Sequence, residues 1–339
     1  MSSVERAWYE GAKWLTLLRP LSYLAHQFAR SKRARFLASK PINYFVTHDG
    51  FEVPVVVIGN ISVGGTGKTP FTIALAKHLE AKGKRVGIVS RGYGSKLKTF
   101  PYEVQSNSSP DDSGDEPLLL KQRLGCPVVI SPNRVEALQE ITSKYTLDVV
   151  LSDDGMQHYR MPRTLEIALV DGRRGLGNGR MLPEGPLREP VDRLASVDFV
   201  VVNSADQSFP EEFSYDWAAW FKNNSFHKMG IVPGDFYRLD SDEKEVITGE
   251  TVYAVSGIGN PQRFYNTLDS LGLKYHPRPF KDHHKYELLD FVDMADQRIV
   301  MTEKDAVKCR NLDLGNAVYL SVEAELDSSL LDQIYDRLF

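Results

Sequence analysis

Three glycines, a lysine and two threonines crowd into Ser62-Val63-Gly64-Gly65-Thr66-Gly67-Lys68-Thr69. Glycines at this density let backbone N–H groups turn toward a phosphate, and a lysine closing the loop can reach the β- and γ-phosphates of a nucleotide such as ATP. Thr69 is the residue type that holds Mg²⁺ there. Ser62 departs from the usual pattern, which has a glycine five residues before Gly67. A second group is the carboxylate pair Asp153-Asp154, which ends the apolar strand within DVVLSDDGMQ at 148–157. A strand-end aspartate beside a phosphate loop is the usual partner of its threonine in holding Mg²⁺, a cation that needs few carboxylates. Side chains alternate along a strand but not where it turns, so the spacing leaves open which aspartate meets the metal. Gly155 permits that turn.

Other charged groups have two readings each. Asp115-Glu116, between Gly114 and Pro117, fits a helix N-cap and equally a general base aimed at a hydroxyl. Arg91 and Tyr93 sit at a strand end, Arg134 in a first helical turn, and Arg188 with Glu189 at the centre of the loop 177–193. Arginines commonly occupy solvated faces, and a histidine pair such as His283-His284 is more often structural than metal-binding when no cysteine or acid lies at ligand spacing. Thr302-Glu303-Lys304-Asp305 lacks the guanine-binding spacing, because its lysine is adjacent to the aspartate rather than two residues before it.

These groups need a scaffold, and the pattern supplies one. The β-branched run 55–58 reads as a buried strand, and apolar positions 71, 74, 75 and 79 make the next segment a helix. Strands are expected at 85–90, 127–131, 148–153, 165–171 and 198–203, with helices at 118–124 and 133–144 and an exposed loop at 99–114. This alternation predicts an α/β fold, a P-loop NTPase-like largely parallel sheet covered on both faces. Ligands bind such sheets beyond the carboxyl ends of the strands, where most of these groups fall. The alternation lapses at 223–234, and 235–250 has hairpin character. A new set then begins: strand 251–256, helix 261–271, strand 298–302 and helix 328–338. The expected organisation is an N-terminal helix with a basic segment (1–40), a P-loop domain (41–225) and a smaller α/β domain (226–339).

The chain has 339 residues, is 42% apolar and carries a net charge of −4, which argues against nucleic-acid binding by the whole surface. Residues 1–40 nevertheless carry +6, leaving −10 elsewhere. Within them Trp14, Leu17, Leu18, Leu21, Leu24 and Phe28 share one face of a helix expected over 4–30 and interrupted at Pro20. Arg19 breaks the apolar run, so the segment is too short to span a bilayer. With the basic run 30–35 it suits a helix lying in a membrane interface; the alternative is a helix packed on the protein's own core. Cys126 and Cys309 form no CxxC and suggest a reducing compartment.

In combination, GGTGKTP at 64–70, SRGYG at 90–94, GDEP at 114–117, DDGMQH at 153–158, GPLRE at 185–189 and TEKDAVK at 302–308 resemble the tetraacyldisaccharide 4′-kinase family, the lipid A 4′-kinases. The resemblance implies ATP-dependent phosphorylation of the 4′-hydroxyl of a lipid disaccharide 1-phosphate. It places the enzyme, peripheral or monotopic, at the cytoplasmic face of a bacterial inner membrane, with no obligate protein partner. It also implies that Lys68 and Thr69 serve phosphate and Mg²⁺, that Asp153 and Asp154 supply metal ligands, and that Asp115 is the catalytic base. Its partner is a histidine from a DH pair, matched by His283, with His284 as competitor. Arg134 and Arg188 become candidates for transition-state charge, with Glu116 and Glu189 in support. A membrane-associated P-loop ATPase switch without a sugar acceptor is the alternative function.

Overall fold

The computed structural model describes residues 3–39, 41–203 and 225–339. Lys40 of the basic segment and residues 223 and 224 of the stretch where the alternation lapses lie outside the described residues. The strands are β1 Tyr44–Val46, β2 Glu52–Gly59, β3 Val86–Ser90, β4 Tyr102–Glu103, β5 Val128–Ile130, β6 Val149–Asp153, β7 Leu165–Asp171, β8 Phe199–Asn203, β9 His227–Arg238, β10 Lys244–Glu245, β11 Thr251–Ser256, β12 Lys274–Pro279, β13 Ile299–Thr302 and β14 Ala317–Leu326. They form one sheet in the order β12-β11-β13-β14-β9-β8-β7-β2-β6-β3-β5-β4, with β1 beside β2 and β10 beside β9. Pairing is parallel except at β1/β2, β4/β5, β9/β10 and β9/β14.

The helices are α1 Ser3–Glu10, α2 Arg19–Ala38, α3 Lys68–Ala81, α4 Pro110–Ser113, α5 Asp115–Leu124, α6 Arg134–Lys144, α7 Pro261–Ser270, α8 Glu303–Cys309 and α9 Ser328–Leu338. They cover both faces of the sheet. Strand β2 shows why: Val56 and Ile58 pack with α3, α5 and α9 on one face, while Val55 and Val57 pack with α6 on the other. All four valines and isoleucines are fully buried, each contributing about 1.5–3 kcal/mol of burial. Such two-sided burial is what makes a parallel strand read as a continuous apolar run.

Several elements differ from the sequence expectation. The N-terminal helix is divided: α1, a 3₁₀ turn at Lys13–Leu18, and then α2, with Pro20 in its first turn where a missing N–H costs nothing. The basic run 30–35 lies on α2 rather than after it. Trp14, Leu17, Leu21, Leu24 and Phe28 are all exposed, so that face is not packed on the core. Among the described residues no helix is long and apolar enough to cross a membrane. Strand β9 occupies part of the stretch where the alternation lapsed; its Pro233 and Gly234 are what broke the sequence pattern. Its register against β14 shifts at that point, which accommodates the proline. A Cβ at Gly234 would lie 2.3 Å from Ser321 Oγ, so the strands approach too closely there for any side chain.

Candidate active site

The glycine loop joins the end of β2 to the start of α3, with the helix N-terminus facing the sheet's carboxyl edge. Gly67 caps α3 with φ of 90°, and a Cβ there would lie 2.5 Å from Asn203 Nδ2. Gly64 has φ of 104°. Ser62 needs no such freedom. It is in extended backbone, bridged to Leu187. Beside it the Val63 N–H donates to Pro186 O at 2.9 Å and the Arg188 N–H to Ile61 O at 2.7 Å. The departure from the usual pattern therefore has a cause: position 62 is paired backbone, and that pairing delivers Arg188 to the loop.

Lys68 Nζ lies 3.4 Å from Asn60 Oδ1 and 3.6 Å from Asp154 Oδ1. The Arg188 guanidinium clasps both oxygens of Asp154, at 2.9 and 3.1 Å, and also donates to Asn60. Burial pushes the Asp154 carboxyl up, but Lys68, Arg188 and Arg134 outweigh it and hold the group well below the usual range. Asp154 has φ of 49°, so the chain is already turning past β6. Asp153, the last residue of β6, is 1% exposed. Burial, reinforced by the nearby Glu116, raises its pKa. Its Oδ1 is buried without a hydrogen-bond partner. Arg134 is buried beneath this turn and donates to the carbonyls of Ser131, Asp153 and Asp154 at 3.2, 3.5 and 3.4 Å. Burial lowers its pKa to about 10, which leaves it cationic at neutral pH.

Asp115 opens α5 after Gly114, whose φ is 80°. His283 Nδ1–H donates to Asp115 Oδ2 at 3.0 Å, and the Tyr93 ring lies 5.3 Å from the imidazole. His284 turns elsewhere: its Nε2 is 3.0 Å from Asp290, and it packs on Phe280 and Tyr286. Of the two histidines, His283 is the one brought to Asp115. Burial would raise the Asp115 pKa, but His283, Lys308 and Lys304 outweigh it and lower it. Glu116, the next residue, feels the charges of Lys68 and Asp154 across the site. Helix α5 packs beside α3, the helix that the phosphate loop opens, in one apolar cluster.

The sequence profile of the tetraacyldisaccharide-1-P 4′-kinases, LpxK, matches residues 14–339. The chain is 42% identical to the tetraacyldisaccharide 4′-kinase of Hahella chejuensis, over 99% of this chain and 96% of that one. It is 43% identical to that of Ectopseudomonas mendocina, over 100% and 98%. This chain belongs to the tetraacyldisaccharide 4′-kinase family. The crystal structure of LpxK from Aquifex aeolicus in complex with ATP superposes with a TM-score of 0.78 at 29% identity, covering 96% of this chain and all of that one.

Within this family fold, further residues to which the sequence assigned no role line the site, some outside the motifs (Asn60, Asn203, Arg174) and some inside them (Gln157, Lys304). Asn60 accepts from both Lys68 and Arg188. Asn203 Nδ2 donates to Thr66 O at 3.1 Å, and Arg174 donates to Gly65 O at 2.8 Å while anchored on Asp171. Gln157 ties Glu189 to Asn60 O. Lys304 reaches Glu116 at 3.0 Å. Asn60, Asp171 and Asn203 all lie at the carboxyl ends of parallel strands. That rule of position would have found them where residue type did not.

No cluster of three or more His, Cys, Asp or Glu residues suited to a metal occurs among the described residues. Magnesium does not need one, since phosphate oxygens and water complete its shell. The buried, unpartnered Asp153 Oδ1 at the foot of the loop fits a small hard cation. Both oxygens of Asp154 already accept from Arg188.

Proposed function

We propose that this chain transfers the γ-phosphoryl group of ATP to the 4′-hydroxyl of a tetraacyldisaccharide 1-phosphate, a step of lipid A biosynthesis. The observation that carries the reading is the Asp115–His283 pair, assembled across 168 residues at the head of a helix that packs beside the one the phosphate loop opens. In this reading the loop 62–69 and Lys68 cradle the phosphates. Thr69 with Asp153, supported by Asp154, would hold Mg²⁺, which when bound neutralises charge on the β- and γ-phosphate oxygens. Asp115, ionised and oriented by His283, accepts the hydroxyl proton. Arg188 stands beside the loop to balance transition-state charge. Arg134 acts from beneath, holding the Asp153–Asp154 turn by its carbonyls.

The division into residues 1–40, 41–225 and 226–339 is supported by separate apolar clusters under β11, β13 and β14. The exposed apolar face of α2, with Arg30, Lys32, Arg33 and Arg35 on the same helix, supports peripheral binding to the cytoplasmic face of the inner membrane. The test is purified protein with Mg²⁺-ATP and the lipid disaccharide 1-phosphate in detergent micelles. A product heavier by one phosphate is expected. ATP hydrolysis without that product would favour an ATPase switch. Lys68→Ala and Asp115→Ala should each lower kcat by at least ~10² while remaining folded.

A further inference from the structure

The TEKD motif at 302–305 begins on the last residue of β13 and has no step of the proposed transfer assigned to it, yet it is built as a rigid mount. Thr302 Oγ1 and the Gly257 N–H both donate to Asp305 Oδ2, at 2.6 and 2.9 Å. Lys308 lies 2.7 Å from the other Asp305 oxygen, and Asp305 is fully buried. From this mount two side chains leave in opposite charge and grip α5 at both ends. Glu303 accepts from Arg123 in the last turn at 2.6 Å, and Lys304 donates to Glu116 in the first turn at 3.0 Å. Burial alone would favour a neutral Lys304 amine, but Glu116, Asp282 and Asp115 around it keep it charged. The head of α5 thus carries two adjacent carboxylates. Each is met by a group from the second half of the chain, Asp115 by His283 and Glu116 by Lys304.

We propose that Lys304 is a positioning residue for phosphoryl transfer. Its ammonium holds Glu116, and through their shared helical turn fixes the direction in which Asp115 presents its carboxylate. The proposal rests on Asp115 being the base. Glu116 and Asp115 are consecutive, so a rotation of the first turn of α5 that relieves one carboxylate displaces the other. A loss of register of about 1 Å at a reacting group can cost 10²-fold in rate.

The experiment compares Lys304→Met, Lys304→Arg, the double variant Glu116→Gln/Lys304→Met, and Asp115→Ala in the micelle assay, with thermal unfolding of each. Lys304→Met should lower kcat by ~10- to 100-fold with little change in KM for ATP, since the phosphate cradle is intact. Lys304→Arg should recover part of the loss. The double variant removes both charges of the pair together, so it keeps the test open should Lys304→Met fold poorly. If Lys304 acts through Glu116, the double variant is no slower than Glu116→Gln alone, which must be measured beside it. Wild-type-like kcat in Lys304→Met, or losses that multiply in the double variant, would overturn the proposal. A fully active Asp115→Ala would instead remove the base assignment on which it rests.

Discussion

His283 has φ of 58°, a region that residues with a Cβ seldom enter. The left-handed turn lets two consecutive histidines face different ways, one toward Asp115 and one into the Phe280–Tyr286 aromatic cluster. Removing the imidazole takes away a hydrogen bond to the ionised carboxylate. Burial raises the Asp115 pKa, and His283, Lys308 and Lys304 together more than cancel that, so the native group stays ionised across the neutral range. His283→Ala should therefore lower kcat by ~10- to 100-fold and move the acid limb of the kcat/KM–pH profile upward, toward or beyond the ordinary carboxylate range. Steady-state kinetics from about pH 4 to 9 would read both. An unmoved acid limb with unchanged kcat would mean that the pair is structural.

At the scale of elements, the helix α2 shows most directly how structure bears on function. Leu17 in the turn before it and Leu24 and Phe28 on it are 81%, 63% and 70% exposed, while Ser22 is buried and bonded to Met181 O at 2.8 Å. The helix is thus fixed by its other face and offers this one to its surroundings. Leu17→Ser/Leu24→Ser/Phe28→Ser should reduce sedimentation with anionic vesicles severalfold and leave the melting temperature unchanged, because these side chains leave no cavity in the protein. Vesicle binding equal to wild type would refute interfacial docking. The loop-strand-helix core around β2 was readable from sequence because a two-sided strand is apolar throughout and glycines mark its end. Strand β9 was not, since Pro233 and Gly234 are loop signals that only a bulge and a close neighbour, Ser321, make compatible with a sheet. Within the candidate site, Lys68 stood out by residue type and spacing, while Asp115 and His283 were singled out only through the family resemblance. Asn60, Asn203 and Arg174 were not, because their work is to hold backbone carbonyls and other side chains, and nothing in the residue type announces that.

Across the whole molecule, the chain passes from the first half of the sheet to the second through β8 and β9 and then returns. Helix α9 closes it by packing Leu330 and Ile334, both fully buried, into the cluster that contains Phe71, Leu75 and Leu79 of α3. Asp332 on its outer side lies 3.0 Å from Lys82 and 3.3 Å from His78 of α3. The last residues of the chain therefore belong to the core that supports the phosphate loop. Contacts at the mouth of the site, Lys285 with Asp111 at 2.8 Å and His283 with Asp115 at 3.0 Å, join the halves a second time. A molecule stitched at both places should unfold as one unit even though its apolar clusters are several. Ile334→Ala tests this far from any reacting group. Truncating a fully buried isoleucine costs ~2–5 kcal/mol. The variant should show one urea transition at lower midpoint, seen alike by far-UV circular dichroism and by ATP binding. Two separated transitions would show instead that the halves are held together only at β8–β9, with α9 a removable strap, and that the cross-half pairs at Asp115 and Glu116 form and break independently of the core.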